Sequence, residues 1–132
     1  LRVLAVVDAE VGRARDRYLG VDDGEDTEAI GREELLRRIR AGEAVVLDVR
    51  PAREYAAGHI PGAISIPLDE LPGRLSELPA DAEDVAYCRG AFCVLAHDAV
   101  RLLTAGGRRA VRLADGMLEW RLAEEPVATA AS

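Results

Sequence analysis

The 132-residue sequence predicts an α/β domain, a central, mainly parallel sheet with helices on both faces. Three observations predict it. From Arg32 onward, short apolar runs alternate with helix-patterned segments, as strands joined by crossover helices do. Ala44-Val45-Val46-Leu47-Asp48-Val49 is apolar at almost every position, as a strand covered on both faces must be. Glycines stand where the helical patterns stop, at Gly42, Gly58 and Gly106-Gly107.

In chain order, residues 2–19 read as a helix. Leu4, Val7, Val11, Ala14 and Tyr18 step by threes and fours, the spacing of a helix-pairing seam. That seam either docks on the chain's own domain or pairs two copies as a homodimer. Gly20 ends the helix, and 20–26 reads as an exposed acidic linker. Residues 1–29 therefore form an arm, 30–127 the domain and 128–132 a loose tail. Residues 32–41 are helical, with Leu35, Leu36 and Ile39 on one side. After the strand at 44–49, Pro51 suits the first turn of a short helix ending near Gly58. Residues 58–62 are a turn and 63–66 a short strand. A helix over 68–78 is interrupted at Pro72-Gly73. The strand 84–87 runs straight into Cys88. A helix over 92–105 follows, with Val94, Leu95, Val100, Leu102 and Leu103 as its apolar contacts. The last strand is 110–113 and the last helix 117–123, with Trp120 as a core anchor.

The net charge of −7 argues against a chain that grips DNA or an anionic membrane by itself. Ten of the 24 carboxylates lie in residues 1–34, against five arginines. There is no lysine, asparagine or glutamine, a bias that a GC-rich genome or heat adaptation would produce. No apolar run reaches the length of a membrane span and no signal peptide is visible, so a cytoplasmic location is expected. The first residue is Leu1, which suggests a piece of a longer chain. Cys88 and Cys93 lack the spacing of a zinc pair and have no second pair, so neither metal nor cofactor is expected.

In a parallel sheet, ligands bind beyond the carboxyl ends of the strands. Cys88 sits at one such end, and Asp48 and Arg50 at another. A cysteine between a strand and a helix start meets unpaired N–H groups and the positive end of the helix dipole. Arg89 adds a full charge. These influences predict a depressed Cys88 pKa and a nucleophilic thiolate. Gly90 lets the loop curl into an anion-holding nest. Asp48, Arg50 and His59 are expected to hold loops rather than react, and His97 to be a surface or packing residue. Phe92 is either a docking surface at the loop tip or a buried residue. Cys93 is either a second reactive thiol or a small apolar filler.

Val46-Leu47-Asp48-Val49-Arg50, Glu54-Tyr55 and Gly58-His59-Ile60-Pro61-Gly62-Ala63 resemble the opening signature of the rhodanese family. Tyr87-Cys88-Arg89-Gly90 resembles its active-site loop. Asp115-Gly116, Glu119-Trp120 and Pro126-Val127 resemble its closing signature. The resemblance implies a small α/β fold and a sulfurtransferase. Cys88 would take a sulfane sulfur from a donor as a persulfide and pass it to cyanide or a thiol acceptor. Arg89, Gly90, Ala91, Phe92 and Cys93 would complete the substrate loop. Six residues from Cys88 to Cys93 match the family's sulfurtransferases rather than its phosphatases, which have a longer loop. A phosphatase or arsenate-reductase-like reading is therefore disfavoured. Gly90 and Glu54 stand where thiosulfate enzymes of the family carry cations, so weak thiosulfate turnover is expected.

The arm and linker ahead of Arg32 also resemble bacterial fusions in which a rhodanese domain follows an ArsR-family transcriptional regulator. That likeness implies that the 2–19 helix dimerises and that DNA is bound by a part lying before Leu1. Sulfur loading at Cys88 would then bias DNA binding through the dimer helix; the alternative to a sulfurtransferase is a persulfide- or redox-sensing or interaction module that uses Cys88 and Cys93 without turnover.

Overall fold

The computed structural model describes residues 27–130. Its elements are β1 (Ala29–Ile30), α1 (Arg32–Arg40), β2 (Ala44–Asp48), α2 (Ala52–Ala57), β3 (Ile64–Ser65), β4 (Glu83–Tyr87), α3 (Leu95–Ala105), β5 (Ala110–Leu113) and α4 (Met117–Leu122). Two 3-10 turns, Leu68–Gly73 and Leu75–Glu77, replace the interrupted helix expected there. Pro72 cannot donate to a continuing α-helix, which explains the tighter, broken form.

The strands lie in the order β1-β5-β4-β2-β3, all parallel. Leu35 of α1 and Met117 and Trp120 of α4 cover one face, against Val46, Val85, Tyr87 and Val111. Ala96, Ala99, Val100 and Leu103 of α3 cover the other with Leu71, against Leu47, Ala86 and Cys88. Successive residues of β4 thus serve opposite layers, as the pleat requires. Trp120 is a buried anchor and donates from Nε1 to the Pro126 carbonyl at 2.7 Å. Gly42 closes α1 at φ 74°, a left-handed conformation that suits glycine.

Several expectations need correction. The sheet begins earlier than expected, because Ala29 and Ile30 pair with Arg112 and Leu113. Two residues at an edge are too few to leave a periodic signal. Ile39 and Val94 are exposed rather than core residues. The tail is not loose through Ala130: Ala128 exchanges both backbone hydrogen bonds with His59, and Ala130 donates to Ala56. The helix expected at 2–19, its pairing seam and the linker lie outside the described residues. No helix among the described residues is long and apolar enough to cross a membrane.

Candidate active site around Cys88

Cys88 follows β4 directly, and residues 89–94 wrap around it before α3 begins. The helix starts at Leu95, three residues later than the pattern suggested, because the intervening backbone is spent on the loop. The Cys93 N–H donates to the Gly90 carbonyl at 3.1 Å and folds residues 90–93 into a turn. The start of α4 closes the loop from the other side. Met117 N–H donates to the Cys88 carbonyl at 2.9 Å and Leu118 N–H to Arg89 at 2.8 Å. The Glu119 carboxylate accepts from Gly116 N–H at 2.8 Å and from Ala91 N–H at 3.2 Å. It ties helix to loop. Burial would raise its pKa, but these backbone donors hold it below the usual carboxylate range.

The glycine demand sits elsewhere than expected. Gly90 has no left-handed φ, and a Cβ there would meet only ordinary contacts, the nearest being Glu119 at 3.7 Å. A Cβ on Gly116 would overlap the backbone of Gly90 and stand 2.7 Å from the Arg89 carbonyl carbon. Gly116 lets α4 press on the loop. Phe92 is exposed at the loop tip, which excludes the buried alternative.

The electrostatics overturn the expected depression of the Cys88 pKa. The side chain is 2% exposed. Burial and contact with the Cys93 thiol push Cys88 up to about 11, against the opposing pull of backbone groups at Ala96 and Gly90. Cys93 moves the other way. Burial would raise it, but the Cys88 thiol and the backbone of Leu95 and Arg89 carry it below the ordinary thiol value. Arg89 contributes less than expected. It points outward into a bidentate pair with Glu54, at 2.9 and 2.8 Å, and is about half exposed. At neutral pH a limiting amount of iodoacetamide will therefore label Cys93 before Cys88, and raising the pH towards 11 will bring Cys88 in. Peptide mass mapping checks this; Cys88 reacting first would contradict it.

Asp48, Arg50 and His59 bind one another's neighbourhood, the 55–60 turn and the Tyr87 side chain, rather than residues 88–94. Arg50 grips Asp48 through Nε at 2.9 Å and Nη2 at 2.6 Å, and Nη2 also reaches the Gly58 carbonyl at 2.7 Å. Tyr87, the residue before Cys88, donates to Asp48 at 2.8 Å and accepts from Ile60 N–H at 3.0 Å. His59 stacks on Tyr55 at 3.7 Å and donates from Nδ1 to the Tyr55 carbonyl at 2.7 Å.

Sequence reasoning missed Arg112. Arg112 is in register with Ala86, and Cys88 lies two residues further along that face. Burial pulls the pKa of Arg112 down, while the charge of Cys88 pulls it up. It donates from Nε to Thr27 Oγ1 at 3.1 Å, and the same hydroxyl meets His97 Nδ1 at 2.8 Å. His97 is thus no plain surface residue. Burial and the nearby Arg112 and Arg101 lower its pKa to about 4, so it is neutral at neutral pH. The overlooked signal was an arginine inside a strand of a sheet covered on both faces. Among the described residues, no three His, Cys, Asp or Glu side chains gather as a metal site.

A model of the rhodanese-like domain matches residues 31–123. The chain is 62% identical over 104 residues to the HTH-type transcriptional regulator Rv0324 of Mycobacterium tuberculosis. That match covers 79% of this chain and 46% of the regulator, so the chain spans about half of its length. It is 38% identical over 93 residues to a sulfurtransferase of Allochromatium vinosum, covering 69% of this chain and 85% of that protein. The crystal structure of a thiosulfate sulfurtransferase from Pseudomonas aeruginosa is similar with a TM-score of 0.69 at 32% identity, over 80% of this chain and 21% of that one.

Proposed function

The chain belongs to the rhodanese-like domain family, and from that premise we propose that it is a sulfurtransferase that carries sulfane sulfur on Cys88. One observation carries the reading. Cys88 directly follows β4 and opens a six-residue loop that the Cys93 N–H to Gly90 carbonyl bond curls back around its sulfur. In the forward step the Cys88 thiolate attacks the sulfane sulfur of a donor, an S–S bond forms, and the donor's leaving group departs. In the return step a thiolate or cyanide attacks the outer sulfur and releases Cys88. Arg112, whose charge acts on Cys88, would balance the negative charge of either form.

The donor follows from the cations. Arg89 is engaged by Glu54, and Gly90 brings no charge, so the loop offers a dianion no free partner. A low-molecular-weight persulfide or polysulfide suits it better than thiosulfate. With cyanide as acceptor, kcat/KM for polysulfide will exceed that for thiosulfate by about tenfold or more, the kinetic equivalent of one hydrogen bond to a charged group. Cys88→Ser will abolish both activities. Thiocyanate formation measures this. Equal turnover of the two donors would sink the donor assignment, and turnover by Cys88→Ser would sink the role of Cys88.

We place this activity in the cytoplasm, within a regulator of the kind represented by the M. tuberculosis relative. We also propose a thiol acceptor, a homodimer formed through residues 2–19 and DNA contact through a part of the protein other than this domain. The reading needs no cofactor.

A further inference from the structure

Transfer to an external acceptor leaves Cys93 without a role, although the loop is folded so as to bring it back onto Cys88. The turn closed by Cys93 N–H and the Gly90 carbonyl sets the Cys93 carbonyl 3.5 Å from Cys88 Sγ. Cys93 also packs against the apolar cluster that contains Cys88. A disulfide requires the two Cα atoms within about 7 Å and the two side chains facing each other. A loop that curls the Cys93 backbone to 3.5 Å from Cys88 Sγ, with both side chains packed in one cluster, favours both conditions. Cys88 is buried, whereas Cys93 is only partly so.

We propose that Cys93 discharges the loaded site. Its thiolate attacks the inner sulfur of the Cys88 persulfide, the Cys88–Cys93 disulfide forms, and hydrosulfide leaves. The step rests on the reading of Cys88 as a persulfide carrier, and it balances without another reagent. The bond between Cys88 Sγ and the outer sulfur breaks as the bond between the two cysteine sulfurs forms. The zero-valent sulfur is reduced to sulfide, and the two cysteines are oxidised to the disulfide.

Two features favour this attack over an external one. Cys93 is the thiol of the pair more readily ionised, and thiolate is the attacking species. It is also already in place, whereas an external thiol must reach a buried sulfur, and intramolecular delivery of this kind is worth a large effective concentration. Each loading then yields one sulfide and an oxidised loop that accepts no more sulfur until a thiol reductant reopens it. Without an external acceptor the site thus discharges once per reduction, whereas cyanide in excess intercepts the persulfide and permits turnover.

The test uses the whole chain, reduced, briefly exposed to polysulfide, desalted and followed by intact mass and sulfide release. The native chain is expected to settle about 2 Da below its reduced mass and to release about one sulfide per chain with no thiol added. Cys93→Ser is expected to stay about 32 Da heavy and to yield thiocyanate with cyanide, while releasing no sulfide by itself. Cys93→Ala and a thermal melt guard against a misfolded variant. A native chain that holds its adduct as long as Cys93→Ser overturns the proposal. So does a native chain about 30 Da heavy, because the sulfur is then kept in a bridge. If Cys93→Ser takes up no sulfur although folded, the persulfide reading of Cys88 fails instead.

Discussion

Arg50→Met will lower the unfolding free energy by about 3–5 kcal/mol, the range seen when one member of a buried ion pair is removed. Asp48 is fully buried and Arg50 is 5% exposed. The guanidinium supplies three of the contacts to that carboxylate, beside the Arg50 N–H and the Tyr87 hydroxyl. Without it the carboxylate keeps two donors in surroundings where an uncompensated charge is costly. The same variant releases the Gly58 carbonyl, so the turn leading to Ile60 also loses its anchor. A double variant, Asp48→Leu with Arg50→Met, should recover part of the loss, because it removes both charges together. Urea unfolding with a comparison of midpoints measures both. A single-variant loss below about 1 kcal/mol would show that the pair is better solvated than its burial indicates.

The second large effect concerns two glycines that local sequence reasoning ranks the wrong way round. Gly116→Ala will reduce sulfur transfer by about a hundredfold, the order expected when reacting groups are displaced by about 1 Å. Overpacking will cost about 1–3 kcal/mol of stability as well. Gly90→Ala will leave stability within about 0.5 kcal/mol and retain most of the activity. The difference is steric. The new methyl at position 116 overlaps Gly90 itself, so α4 must withdraw or the Cys88 loop must shift. At position 90 the methyl meets side-chain atoms at ordinary contact distance, and the backbone there is not left-handed. Cyanide-acceptor kinetics on both variants decide the matter. If Gly90→Ala proves the more damaging, the loop works through its own curvature rather than through the helix pressed against it.

The strand–helix alternation was legible because strands covered on both faces must be apolar throughout, and that is a local property. Cys88 at a strand end and the caps at Gly42 and Gly58 were legible for the same reason. The charge around the thiol was not. Arg89 was read as a neighbour of Cys88, but it is paired with Glu54, 35 residues earlier. The loop was read as an open nest, but its Ala91 N–H is held by Glu119, 28 residues later. Nearness in sequence therefore overstated the positive field and understated burial, which is why the Cys88 pKa came out with the wrong sign. Arg112 and Thr27, 85 residues apart, meet only once β1 lies beside β5.

The hydrogen bonds from Met117 and Leu118 to the Cys88 loop bear on the order in which the protein is made. Synthesis proceeds from the amino end, and a chain begins to organise as it emerges. Residues 88–94 therefore leave the ribosome well before 116–119, which close them. Parallel pairing between distant segments is also slow to form, so β5 and α4 join late. Until they do, the loop lacks the Met117, Leu118 and Glu119 contacts. The nascent domain thus carries its two thiols in an unclosed loop, and the pairing that buries Cys88 is completed only by α4, which is translated after the loop it closes.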